Sequence, residues 1–512
     1  MKLKRTKNTL RNALFNSLFK CVTIFGPFAV RTSMIYVMGV EYVGLSSLFT
    51  AILGVLSLAE MGVGEALVFS MYKPIAQDDA PAINALYALY RRLYRIIGTA
   101  VAAIGLLLVP VLPRLVRSDL PPDVNLYVLY GVYLFNTLVS YWLFGYKQSL
   151  LLAFQRSDVI GKRSIAILLL RYAAQIAVIH LTRDYYAFVV CLPLSTILTN
   201  IANKVIVDRM FPQYRCEGRV PPETERAIRR KVLALIGTKA NTIVLNASDN
   251  IVISAFLGLA LVGKYSNYYY VMHSVAAFLK ILYSSMTAGL GNSLETESRD
   301  KNFRDFKTLT FLNAWIVMAC SCCLLCLFQP FMRLWVKEKG LLPLPMVFLF
   351  VVYFYLYAIR RVVLTYKDAG GIWWEDRFRP YVVMAVNLGL NISLCQIIGL
   401  YGIILSTLVS MVVSLPWETF TVFHYIFHSS SLPYWRDWMA FAALTALLAA
   451  AAFALCSVLP IPASPFGLVL RLLLAFTLPN AIWFLLFRRH PALRIALRKL
   501  PMFAEVNETV QG

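Results

Sequence analysis

Along the chain, apolar stretches of about 20 to 30 residues alternate with short punctuation by charge, Pro or Gly. Since a membrane-spanning helix needs about 20 apolar residues, these runs predict helices near residues 12–39, 43–72, 84–112, 123–147, 160–181, 185–210, 231–258, 265–291, 306–332, 345–367, 379–398, 402–427, 436–459 and 466–488. One crossing with its loop takes roughly 35–40 residues. A chain of 512 residues therefore holds about fourteen of them.

Composition agrees with this pattern. Hydrophobic residues make up 59% of the chain and charged residues 15%, with a mean hydropathy of +0.66. Soluble domains average about 45–50% and about 25%. The sequence is thus that of an all-α integral membrane protein, and disordered, collagen-like and nucleic-acid-binding classes are excluded. The net charge of +23 needs a membrane explanation. About 36 of the 49 Lys and Arg fall at the amino terminus, in 204–231, in 488–499 and in the even-numbered loops between, whereas the opposite loops hold about seven. By the positive-inside rule both termini are expected on the cytoplasmic side, which an even number of helices requires. Lys20 and Arg31 interrupt the first apolar run and no A-x-A-like site follows, so no cleaved signal is expected. The longest polar stretch, near Phe211 to Lys231, is too short for a folded core and reads as a basic linker.

The segment Gly39-Val-Glu-Tyr-Val43-Gly44 follows the first helix, and Gly258-Leu-Ala-Leu-Val262-Gly263 follows the seventh, at a constant offset of 219 residues. Each reads as the tight turn of a helical hairpin. Their placement predicts a parallel repeat of two six-helix bundles, residues 1–210 and 231–427, joined by a linker at 211–230 and followed by two more helices in 428–512. The cysteines lie mostly within helices, and the spacing of Cys320, Cys323 and Cys326 reads as small-residue packing rather than as a metal site.

The stretches MGVEYVGLSSLFTAILGVLSLAEMGVGEALVFSMYKPIA, ending at Ala76, and SDNIVISAFLGLALVGKYSNYY, starting at Ser248, resemble signature regions of the polysaccharide transporter family. This family of Wzx-type O-antigen and capsule-repeat flippases belongs to the superfamily that also holds multidrug and toxin extrusion antiporters and lipid II flippases. The resemblance implies alternating-access transport of an undecaprenyl-pyrophosphate-linked oligosaccharide across a bacterial inner membrane. Expected partners are that lipid-linked glycan, membrane lipids and the polysaccharide polymerase machinery. No enzyme activity, nucleic acid or resident cofactor is expected, and the chain is expected to be a monomer.

Charges within helices are costly in a bilayer and normally face a partner or a cavity. The charges singled out within the predicted helices are the bases Lys20, Arg31, Arg171, Lys239, Lys280 and Arg471 and the acids Glu60, Glu65, Asp249 and Glu418. The excess of bases favours an anionic substrate, with Arg31, Lys280, Lys20 and Lys239 as phosphate-binding candidates. Arg171 and Arg471 read as interfacial, and Arg91, Arg92 and Arg95 with their tyrosines as an interfacial girdle. Glu60 and Glu65 are candidates for coupling, or for neutralising nearby cations. By resemblance to the sodium site of lipid II flippases, Asp249, Asn387, Asn391 and Thr407 are candidate sodium ligands, with sodium or a proton as coupling ion. A hydrogen-bonding role between helices is the other reading of these four. A multidrug or cation antiporter of the same fold, and less readily a membrane-integral glycan polymerase or ligase, remain as alternatives. The antiporter would favour acidic cavity residues and the enzyme a large outer loop.

Overall fold

The computed structural model describes residues 5–60, 62–116 and 120–493. Its α-helices run in the order α1 Arg5–Val37, α2 Val40–Leu56, α3 Val63–Ala76, α4 Ala80–Leu108, α5 Leu112–Leu115, α6 Leu126–Trp142, α7 Gln148–Ala153, α8 Ser157–Thr182 and α9 Tyr185–Met210. They continue with α10 Pro222–Leu257, α11 Leu259–Thr296, α12 Arg299–Val336, α13 Leu344–Ile359, α14 Arg361–Ala369, α15 Arg379–Ile398, α16 Leu400–Val422, α17 Leu432–Val458 and α18 Pro465–Phe487. Among the described residues, nine helical stretches are long and apolar enough to cross a membrane. A tenth is added if α6 and α7, bent by 46° at their junction, form one span. The chain is an all-α, multi-pass membrane protein.

The termini of these helices follow local sequence. Asp79, Asn125, Asp184, Ser298 and Ser464 accept backbone N–H groups at the starts of α4, α6, α9, α12 and α18. Pro sits in the first turn of α4, α10, α13, α15, α17 and α18, where its missing N–H is harmless. The start furthest from the predicted one is that of α10, which begins at Pro222 rather than near residue 231, so about half of the stretch expected to be a linker is helical. The irregular part, 211–221, is packed down, with Phe211 stacked on Phe154 at 4.6 Å and the Arg215 N–H donating to Asn84 Oδ1 at 2.9 Å.

The chain divides into two compact units, Met1–Gly263 and Lys264–Gly512. In the first, α1 packs on α8, α6 on α9, α8 on α9 and α4 on α6, and α10 joins them by packing on α2, α3 and α5. Its buried interior is rich in tyrosine, including Tyr87, Tyr130 and Tyr185. In the second, α12 is flanked by α13, α17 and α18, and α15 and α16 form a closely packed pair.

The two related glycine segments meet within the first unit. Gly39 and Gly258, at φ +127° and +96°, make the abrupt turns between α1 and α2 and between α10 and α11. Five residues beyond each turn a second glycine permits reciprocal contact. A Cβ on Gly44 would lie 2.2 Å from the Leu259 carbonyl oxygen, and one on Gly263 2.3 Å from the Val40 carbonyl oxygen. Lipid tails are as apolar as leucine, so close packing of this kind, rather than burial of apolar surface, holds helices together in a bilayer.

Candidate functional site

A cavity of about 480 Å³ opens inside the first unit among α1, α2, α6, α8 and α9. It is lined by two cations, Arg31 and Arg171, with the polar side chains of Ser46, Thr50, Asn136 and Gln175, and no carboxylate is among the lining residues. Its geometry begins with Gly26 on α1. A Cβ there would collide with the Tyr172 ring at 2.2 Å, so the glycine lets α8 press against α1. Tyr172 then supports the Arg171 guanidinium 4.7 Å above its ring centre. Arg171 stands in mid-helix, 14 residues from the start of α8, or about 21 Å along its axis. Its Nε is buried with no hydrogen-bond partner. Arg31, on the same tightly packed helix pair, donates from Nη2 to Ser47 Oγ at 3.1 Å. On the far wall Tyr133 stacks on Phe49 at 5.2 Å, and Thr196 Oγ1 donates to Asn136 Oδ1 at 2.7 Å. The result is a polar chamber with two guanidiniums set within apolar helices. Arg171, read from sequence as interfacial, is one of them.

The remaining candidates are dispersed. Lys20 and Lys239 lie on α1 and α10, but their side chains fall outside the described residues. Lys280 is exposed on α11, in the second unit, and near it on the same helix His273 stacks with Tyr269 at 5.5 Å. Glu60 accepts a hydrogen bond from Tyr94, which in turn accepts from Tyr90 at 3.1 Å, a chain of the kind that neutralising or bracing acids make. Glu65 is exposed on α3. Arg471 donates to the carbonyls of Cys456 at 2.8 Å and Ile461 at 3.2 Å, so it closes the end of α17.

Of the four sodium candidates, three come together in the second unit and Asp249 stands buried on α10 in the first. Asn391 Nδ2 donates to Asn387 Oδ1 at 3.3 Å, Asn387 Nδ2 to Thr407 Oγ1 at 3.3 Å, and Ser406 Oγ to Asn391 Oδ1. Hard cations take oxygen ligands, and these side chains supply neutral oxygens only. Both amide oxygens already accept hydrogen bonds, so α15 and α16 are stitched together by the cluster as it stands.

Four basic residues that the sequence did not single out, Arg360, Arg361, Lys367 and Arg379, are packed by the structure into a network. Arg379 chelates Asp376 at 2.7 Å and 2.8 Å and reaches Glu418 Oε1 at 2.8 Å. Lys367 holds Asp376 at 2.5 Å, and Arg360 holds Glu418 at 3.3 Å. Arg361 lies 4.1 Å over the Tyr357 ring. Burial opposes the Asp376 charge, but the hydrogen bonds and charges of Arg379 and Lys367 outweigh it and hold the carboxyl below its ordinary value. A signal for this network was present in the sequence as Asp376 three residues before Arg379. Hydropathy alone gave no reason to bury it.

In the second unit, α11, α12 and α18 enclose an almost wholly apolar groove of about 420 Å³, lined by Cys320, Cys323, Phe328, Phe331, Leu472 and Phe476 among others. Among the described residues no group of three or more His, Cys, Asp or Glu is placed to hold a metal ion.

Together these features belong to a helical membrane fold with a polar chamber in one unit and an apolar groove in the other. No protein-family model matches the chain, and no curated protein matches it. Solved structures do. Lipid II flippase MurJ, in its inward closed conformation, is similar over 92% of this chain and 99% of its own, with TM-score 0.66 and 13% identity. An inward-facing multidrug resistance MATE family transporter of the MOP superfamily is similar over 76% and 92%, with TM-score 0.57 and 13% identity. The eukaryotic MATE transporter AtDTX14 gives 80% and 96%, with TM-score 0.53 and 12% identity. The chain therefore has the fold shared by MurJ and the MATE transporters.

Proposed function

We propose that this protein is a non-enzymatic flippase of the MOP superfamily that moves undecaprenyl-pyrophosphate-linked oligosaccharide repeat units across the bacterial inner membrane. The observation that carries this reading is the chamber with Arg31 and Arg171 and no lining carboxylate. Two fixed guanidiniums suit a diphosphate, whose oxygens accept paired N–H donors. Asn136, Gln175 and Thr50 offer hydrogen bonds to sugar hydroxyls. An exporter of organic cations would be expected to present acids instead, so the antiporter reading is second.

The cycle in this proposal is alternating access, with both termini in the cytoplasm and an ion gradient resetting the protein. Neutralising Arg31, Arg171 and Lys280 one at a time tests it in cells. Loss of surface polysaccharide with accumulation of lipid-linked repeat units is expected for Arg31→Ala and Arg171→Ala, and a weaker defect for Lys280→Ala. Normal surface glycan in both Arg31→Ala and Arg171→Ala at normal protein levels rules out the cationic chamber as the binding site. Resistance to toxic organic cations that depends on Arg31 would instead support the antiporter. The sodium assignment of Asp249, Asn387, Asn391 and Thr407 has its own test: transport by Asp249→Ala that keeps the same sodium dependence removes it.

A further inference from the structure

A second basic cavity, of about 720 Å³, lies in the first unit between α4, the irregular segment 211–221 and the first turn of α10. Arg91, Arg92 and Arg95 line it from α4 and Arg219 from the opposite wall, with Glu225 as the lining acid. Four guanidiniums thus face one carboxylate. The cavity is shaped by small residues. Ala85 and Ala88 keep the α4 surface low, and Gly218, at φ +88°, turns the segment so closely over α4 that its Cβ would lie 3.5 Å from that of Ala85. Arg91 Nη2 donates to the Cys216 carbonyl at 3.2 Å and anchors that wall. Arg92, Arg95 and Arg219 are exposed, and no carboxylate pairs with them among the described residues.

An interfacial girdle of arginines would be spread around a helix. Here a fourth arginine, distant in sequence, is brought into the same cavity by a packed segment. The depth is also informative. Arg95 lies about 20 residues before Leu115, the far end of the span Ala80–Leu115, which is about 30 Å of helix and so the thickness of the hydrocarbon core. The arginines therefore stand at headgroup level, and Ile96 beside them is 54% exposed where acyl chains pass.

We infer that this cleft holds the phosphate of an anionic phospholipid from the leaflet on its side of the membrane, with Arg91, Arg92, Arg95 and Arg219 around the phosphate and Ile96 against an acyl chain. Guanidinium forks match phosphate oxygens, and basic pockets between helices on the cytoplasmic side are suited to such headgroups. The site is separate from the Arg31 and Arg171 chamber, so its occupant need not be transported.

The test uses the full chain purified in detergent, with native mass spectrometry counting bound phosphatidylglycerol or phosphatidylcholine of identical acyl chains. Preferential retention of phosphatidylglycerol is expected. Each of Arg92→Ala, Arg95→Ala and Arg219→Ala should weaken it about fivefold and the triple variant about a hundredfold, while Arg488→Ala, an exposed arginine of the second unit, leaves it unchanged. Retention by the triple variant equal to that of the wild type overturns the inference, as does equal retention of phosphatidylcholine. Displacement of the lipid by millimolar inorganic phosphate also overturns it, because the cleft would then be a site for free phosphate. If the triple variant does not fold, the three single variants decide by the same readout.

Discussion

Replacing Glu418 by Gln preserves side-chain volume and removes the negative charge that two guanidiniums share. Oε1 lies 2.8 Å from Arg379 Nη1 and 3.3 Å from Arg360 Nη1, and the residue is 1% exposed. At an effective dielectric of about 20 these separations correspond to Coulomb energies of about 6 and about 5 kcal/mol. The carboxylate's own desolvation cancels part of that gain, and removing one partner of a buried pair costs about 3–5 kcal/mol in practice. Ser414 Oγ, which donates to Oε1 at 2.8 Å, would keep a partner in the amide oxygen, so the loss is mainly electrostatic. The expected cost of Glu418→Gln is therefore about 3–5 kcal/mol. The pair Glu297 and Lys301 provides the scale, because its side chains are 43% and 45% exposed. Glu297→Gln should cost less than about 0.5 kcal/mol. Equilibrium unfolding of the purified variants in mixed SDS micelles measures both. A Glu418→Gln loss under about 1 kcal/mol, close to that of Glu297→Gln, would refute the view that this network compensates buried charge.

Gly44→Ala and Gly263→Ala should each sharply reduce the folded fraction, because the new methyl meets a backbone carbonyl rather than a side chain that can swing away. Gly54→Ala and Gly131→Ala, with open space around them, should leave the size-exclusion profile unchanged. His490 stacks on Phe311 at 4.4 Å, and its Nδ1 accepts the Ala492 N–H, so the neutral ring is the one that packs. Burial lowers its pKa below the ordinary 6.5, with Asp437 pulling the other way. Its contribution is thus present above about pH 6.5 and is lost as pH falls through the lowered value. Thermal stability should decline over that window in the wild type, and His490→Leu should lose this part of the decline. Asn391→Ala should loosen α15 from α16 by about 1–3 kcal/mol in the same unfolding assay, since it removes the donor to Asn387 Oδ1 and the acceptor that Ser406 Oγ reaches across the two helices. A neutral result there shows that the cluster does not brace the two helices.

Much of the architecture is written along one dimension. A bilayer forces every backbone polar group to be satisfied within a helix, so runs of apolar residues announce the spans before any packing is known. The turns at Gly39 and Gly258 are equally local, because a positive φ is a property of the chain at one residue. Arg31 could be singled out on the same grounds, as a charge at a depth where charge is costly. What it faces could not. That Arg171 shares its chamber depends on Gly26 admitting Tyr172, a contact between helices more than a hundred residues apart. In the same way, that Arg360 and Arg379 meet Glu418 and that Lys367 meets Asp376 is visible only in the fold. Hydropathy measures what a segment avoids, whereas partnership between charges depends on which segments become neighbours. The sequence by itself therefore determined a helical membrane protein in which the bases singled out within helices outnumber the acids, and only the tertiary structure decided that Arg31 and Arg171 converge on a cavity and that Arg360, Lys367 and Arg379 are neutralised by acids.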